Sequence, residues 1–124
     1  MKILGIDYGL AKIGLAMADD TIKMAVPFKI VKEKNLIKQV DFILALVTTE
    51  KIDLLVIGLP MSLQQQRTDQ TEQTQFFINK LRAQGLEVIT EDERMSSGAA
   101  QKLGIKEDDA VAAMQILQTY LDRL

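Results

Sequence analysis

Lys2-Ile3-Leu4-Gly5-Ile6-Asp7-Tyr8-Gly9, followed by Lys12-Ile13-Gly14-Leu15-Ala16, decides the fold. Residues 2–7 form a short, nearly continuous apolar run, the pattern of a strand covered on both faces. The run ends in a carboxylate, with a glycine two places on, and so predicts a core strand that delivers Asp7 to the end of a sheet. Residues 8–11 read as a turn carrying Gly9, and residues 12–18 as a second strand rich in small side chains. Asp19-Asp20-Thr21 reads as another turn, and residues 23–31 as a third strand interrupted by Pro27. Proline removes a ladder donor, which places that strand at a sheet edge. These three strands predict an antiparallel meander.

Working outward, Asn35 is positioned to cap a helix in which Leu36, Val40, Ile43 and Val47 recur at helical spacing, ending near Thr49. Residues 52–58 read as a buried strand closing in Gly58-Leu59-Pro60, and residues 61–70 as a long polar loop. Asp69 with Glu72 predicts a capping box for a helix through Phe77 and Leu81 that stops at Gly85. Residues 86–90 read as a short strand, Ser96 or Ser97 as the cap of a brief helix through Leu103, and residues 108–122 as a last helix. Each later strand returns through a helix, so the first, fourth and fifth strands are expected to be parallel neighbours joined by right-handed crossovers. The expectation is an α/β fold: a mixed five-stranded sheet, a three-strand antiparallel meander plus two parallel strands, flanked by helices. Sites in such sheets form at the carboxyl ends of the strands, where Asp7, Gly58 and Glu93 would all emerge.

Composition narrows the chemistry. At 124 residues, 48% of them hydrophobic, the chain predicts one domain spanning 1–124 with a proper core. It has no cysteine, which excludes disulfides and thiol nucleophiles, and no histidine, the commonest general base. Any metal would be held by carboxylates, carbonyls and water, which favours Mg²⁺, Mn²⁺ or Ca²⁺. The absence of a signal-like start or a long apolar run predicts a cytoplasmic protein without membrane association. A net charge of -2 argues mildly against bulk nucleic-acid binding and leaves a local basic rim open.

Three acidic stations stand out. Asp7 reads either as an Asx-turn aspartate or as a ligand beside a glycine that lets phosphate approach the backbone. Glu91-Asp92-Glu93-Arg94 reads either as a solvated strand end or as a functional cluster in which Arg94 meets phosphate, and strand parity alone does not choose among its carboxylates. Asp108-Asp109 suits the first turn of any helix, yet Ala110, Ala112 and Ala113 behind it let that helix pack close to the sheet. Phosphodiester hydrolysis would need such a grouping. Two divalent ions roughly 3.5–4 Å apart hold the attacking and leaving oxygens, and clustered carboxylates balance their charge.

The blocks Ile3 to Gly9, Lys12 to Ala16, Val56-Ile57-Gly58-Leu59-Pro60, Asp92-Glu93-Arg94, and Asp109 to Ala113 with Ile116 to Leu121 resemble, in order and spacing, those of the YqgF/RuvX family. The resemblance implies an RNase H-like nuclease domain whose acidic, metal-holding and catalytic residues fall on Asp7, Glu93 and Asp109. It implies a Mg²⁺ or Mn²⁺ cofactor, two ions, and substrate contacts at Gly9, Lys12, Arg94, Ser96 and Ser97. Its implied activity is 5′-end maturation of pre-16S rRNA, with Holliday junction resolution or a catalytically inactive nucleic-acid or ribosome-binding module as alternatives. The partners would be structured RNA (a pre-rRNA) or branched DNA, together with ribosomal particles, and the protein would be a monomer or weak homodimer. Departures from the family pattern are Lys12 for arginine, Ser96-Ser97 for paired threonines, no Asp-Gly in the loop after Pro60, and a shorter stretch between Ser97 and Asp109. An actin-type ATP-binding domain opens similarly, but it needs two lobes, more than this length accommodates.

Overall fold

A computed structural model describes residues 1–94 and 109–124, with Arg94 and Asp109 described by their backbone alone. The elements run β1 (Lys2–Tyr8), β2 (Lys12–Asp19), β3 (Val26–Lys32), α1 (Leu36–Glu50), β4 (Leu54–Met61), α2 (Asp69–Ala83), β5 (Val88–Arg94) and α3 (Asp109–Asp122). They build a five-stranded sheet in the order β3-β2-β1-β4-β5. β1–β2 and β2–β3 pair antiparallel, while β1–β4 and β4–β5 pair parallel, as the connection pattern required. β3 is an edge strand, as Pro27 predicted, and its register shifts opposite Leu15/Ala16, next to that proline.

The pleat sorts side chains onto two unlike faces. Leu4, Ile6, Ile13, Leu15, Leu55 and Ile57 point towards α1 and α2, where Ile43, Phe77, Ile78 and Leu81 complete a core of large residues. The opposite face carries Ile3, Ala16, Ala18, Leu54 and Val56 against Ala113, Ile116, Leu117 and Leu121 of α3. Small residues dominate the strands there, and α3 lies correspondingly close. A Cβ built on Gly5 would stand 2.7 Å from Leu117 Cβ and 3.0 Å from the Ala113 carbonyl oxygen.

Several boundaries differ from the sequence reading. β5 runs through the acidic cluster to Arg94, and β4 continues past Gly58 through Pro60 to Met61. These two extensions pair with each other, from Gly58↔Glu91 to Met61↔Arg94, beyond the last β1–β4 partners, Ile6↔Ile57. Pro60 is tolerated because β4 has no β1 residue beside it there. β3 begins at Val26, since residues 21–23 form the preceding turn. The α2 capping box is made by Thr68 and Thr71, not by Asp69 and Glu72: Thr71 N donates to Thr68 Oγ1 at 3.2 Å and Thr68 N to Thr71 Oγ1 at 2.9 Å. The cap of α1 is Asn35, as read from sequence, accepting from Lys38 N at 3.0 Å. The expected brief helix through Leu103 lies outside the described residues.

Gly5→Ala tests the closeness of α3. The obstacles are a Cβ and a backbone oxygen, neither of which can swing aside, so a loss of about 1–3 kcal/mol is expected in denaturant unfolding. An unchanged midpoint would show that α3 is not seated this tightly.

Candidate active site

Asp7 is the penultimate residue of β1, half-buried, on the face covered by α3. The register fixes its surroundings. Asp7 pairs with Gly14 of β2, and one step beyond Ile6↔Ile57 it comes level with Gly58 of β4. A residue without Cβ therefore flanks the aspartate on either side. The Gly58 position is filled from β5 instead: a Cβ there would lie 2.7 Å from Glu93 Oε2 and 2.6 Å from Ile116 Cδ1. Glu93 thus extends its carboxylate over Gly58, on Asp7's face of the sheet. Asp109 opens α3 one helical turn ahead of Ala113, the residue whose carbonyl rests against Gly5. The backbone brings the three acidic stations to one face, although the Asp109 side chain is outside the described structure. Among the described residues no group of three metal-ligating side chains is complete.

Strand parity separates the exposed Asp92 from Glu91 and Glu93, which share the α3 face. Of these two, Glu91 is the more deeply buried. It is 5% exposed and accepts a hydrogen bond from Arg123 Nη2 in an ion pair. Burial pushes the Glu91 carboxyl above the usual carboxylate range, against the opposing pull of Arg123, and Asp92 adds a smaller push in the same direction.

Lys12 opens β2, exposed, directly opposite Lys32 of β3. Its pleat position is one step beyond Gly14, so both lysines fall on Asp7's face. Gly9 sits in the hairpin with no room for a side chain, since a Cβ would approach Lys12 O to 2.6 Å. Arg94 ends β5, and Ser96 and Ser97 lie outside the described residues. The sequence reading missed Gln39, which is 1% exposed and braces the hairpin from the other face. Its Nε2 donates to Glu33 O at 2.7 Å, to Leu10 O at 3.2 Å and to Gly9 O at 3.4 Å, and its Oε1 accepts from Tyr8 Oη at 3.2 Å. A glutamine within the apolar stripe of α1, next to Val40, was the available signal.

The fold belongs to a class already seen in solved structures. The chain superposes on Thermus thermophilus RuvC in complex with a Holliday junction substrate with a TM-score of 0.63 at 14% identity, covering 99% of this chain and 95% of that one. It matches the Fowlpox virus Holliday junction resolvase with a TM-score of 0.62 at 18% identity, covering all of both chains. The fold is the RNase H-like fold of these resolvases. At the level of sequence, the model of the family described as "RuvX: Holliday junction resolvase" matches residues 1–123. This chain belongs to the RuvX family. Relatives named "Putative pre-16S rRNA nuclease" are 35% identical in Endomicrobium trichonymphae, over 98% of this chain and 95% of that protein, and 35% identical in Ruminiclostridium cellulolyticum, over 100% and 96%. The second alignment spans 136 positions against the 124 residues here, so that relative carries residues this chain lacks.

A carboxyl that holds its proton more tightly when folded favours the fold at acid pH. It gives up that advantage as pH rises from its unfolded value towards its folded one. Glu91→Gln keeps an oxygen for Arg123 and cannot ionise. Calorimetric melts should show its melting temperature gaining on the parent's as the pH rises above the ordinary glutamate value of about 4; a gap that narrows as the pH rises would contradict the assignment.

Proposed function

We propose that this chain, acting as one nuclease domain over residues 1–124, is a metal-dependent hydrolase of phosphodiester bonds that serves in cytoplasmic 5′-end maturation of pre-16S rRNA. The observation that carries the reading is the Glu93 carboxylate occupying the space above Gly58, on the face and at the strand end that hold Asp7. The names of the curated relatives support the substrate.

The donor set fits a hard cation. It offers oxygen ligands only, and the missing Cβ of Gly58 leaves a cradle between two carboxylate-bearing strands. Asp7, Glu93 and Asp109 would hold Mg²⁺ or Mn²⁺, as two ions. Such ions supply positive charge to the scissile phosphate and acidify the attacking water, so no histidine base is required. Lys12 and Arg94 would neutralise flanking phosphates, and Ser96 and Ser97 would donate hydroxyl hydrogen bonds to them. Gly9 lets the sugar-phosphate strand approach the hairpin backbone. Lys12 opposite Lys32 gives a local cationic edge despite the acidic balance of the whole chain.

Asp7→Asn and Glu93→Gln should each lower cleavage of a pre-16S substrate by orders of magnitude while circular dichroism remains native. Unaltered turnover in either variant would remove that residue from the mechanism. Gly58→Ala separates geometry from charge. Its methyl group would crowd both the Glu93 carboxylate and Ile116 Cδ1 without deleting a charge, so Mn²⁺ binding followed by electron paramagnetic resonance should weaken in a protein that melts lower, as Gly5→Ala does, but still unfolds cooperatively. Full metal affinity in Gly58→Ala would mean that the cradle is not used.

The family description supports a second reading, resolution of four-way DNA junctions. That activity needs paired sites in a dimer. Parallel assays on pre-rRNA and on a synthetic junction, with oligomeric state measured by sedimentation, discriminate the two. Binding without turnover at any divalent-metal concentration would leave a non-catalytic module.

A further inference from the structure

On the opposite side of the β1–β2 hairpin from Asp7 lies a cleft of about 620 Å³, walled by Tyr8, Leu10, Leu36, Gln39, Gln73 and Phe76, with Lys34 at its rim. A second hollow of about 440 Å³ adjoins it through Tyr8, Leu10 and Gln73 and reaches Gly9. Asp7, Glu93 and Asp109 line neither space, whereas Glu72 borders the cleft and Asp69 the second hollow.

We propose that this cleft is a binding site for an unpaired nucleobase of a single-stranded segment of the substrate. Four observations converge on that occupant. The lining is largely apolar and offers an aromatic platform in Phe76, which is 53% exposed. Two cations stand nearby: Lys80 Nζ is 5.1 Å from the Phe76 ring centroid and Lys34 borders the opening, while the lining carboxylate of Glu72 is paired with Arg67 at 2.5 Å. A stacking surface with backbone charge beside it is the combination by which single strands are held. The walls are rigid, because Gln39 grips the carbonyls of Gly9 and Leu10 and the Tyr8 ring stacks on Phe77 at 4.3 Å between centroids. Finally, the cleft lies just around the hairpin tip from the proposed catalytic face. Tyr8 directly follows Asp7, and only the tip of the hairpin, residues 9–11, separates the cleft from Lys12 and Lys32. A strand whose phosphates run along those lysines would place a neighbouring base over the tip and into the cleft. A base inside a duplex is stacked on both sides and cannot enter, so the cleft would select unpaired positions.

The nature of the polymer rests on the nuclease reading, whereas the cleft itself does not. The experiment therefore measures binding without cleavage: fluorescence anisotropy of labelled oligoadenylate RNA, and of a blunt duplex RNA of equal length, with the whole chain in EDTA. Phe76→Ala should weaken single-strand binding about tenfold, the usual scale for losing one stacked base. Phe76→Tyr should restore the affinity, and duplex binding should be unaffected in both. Lys34→Gln should lower the slope of log affinity against log salt by about 0.7, the value for one phosphate on a single strand. Exposed positions such as these leave the fold intact, which thermal melts would verify. Equal affinity of parent and Phe76→Ala for the single strand, or an equal loss for duplex, would overturn the proposal. So would a protein that binds no oligoadenylate at all, which would leave the cleft to an apolar protein segment. A loss of cleavage in Asp7→Asn with the anisotropy pattern unchanged would show the two sites to be separable. Failure of the carboxylate site would not alter the anisotropy result.

Discussion

The contact between α3 and the glycine positions of the central strands is the constraint on which the rest of the molecule depends. Gly5 admits the Ala113 carbonyl, and Gly58 admits both Ile116 and the Glu93 carboxylate. Had either strand carried ordinary side chains there, the helix would stand off by roughly the thickness of a methyl layer, and the first turn of α3 would leave the plane of the strand ends. The small residues of β2, Ala16 and Ala18, extend the same low surface sideways. Close packing, rather than any single ion pair, is what lets a helix terminus and strand-borne carboxylates share one face.

The two faces of the sheet divide the labour. The α1/α2 face is filled by large apolar side chains around Phe77 and supplies most of the hydrophobic stabilisation. It has one polar hub, Gln39, and this residue fixes the hairpin that presents Gly9 and Lys12 on the other side. Tyr8 joins the two systems. It donates to Gln39 while its ring lies on Phe77, and burial pushes its phenol upward, so it remains a donor at any ordinary pH. The α3 face gives up bulk for proximity and carries the charged groups.

Much of this was legible in the residues. The continuous apolar run of β1 ending at Asp7 announced a doubly covered strand. Pro27 announced the edge, and the alternation of helices with later strands forced the parallel pairs. The role of Ala113 was also visible, since a small residue one turn beyond Asp109 has little purpose except close approach. The extents of β4 and β5 were not legible, because each lengthens only in the presence of the other. Gly58-Leu59-Pro60 reads as a stop until β5 is found beside it, and Glu91 to Arg94 reads as a solvated end until β4 pairs with it. Strand alternation alone left Glu91 and Glu93 open and the family blocks pointed to Glu93, whereas the pairing of Glu91 with Arg123, distant in sequence and adjacent in space, was not legible. The Thr68–Thr71 cap was overlooked because the acidic pair one residue later fits the usual pattern.

Thr71 has another role besides capping its helix. Its hydroxyl donates to Pro60 O, so the start of α2 is tied directly to the end of β4 across the intervening residues 62–68. That segment is closed on itself by Ser62, which accepts from Gln66 N at 2.9 Å. The bond short-circuits the loop mechanically: β4 and α2 hold their relative positions whatever lies between them. Evolution, or an engineer adding a fluorescent label or an epitope, is therefore free to vary the length of this loop without disturbing the carboxyl ends of the sheet's strands.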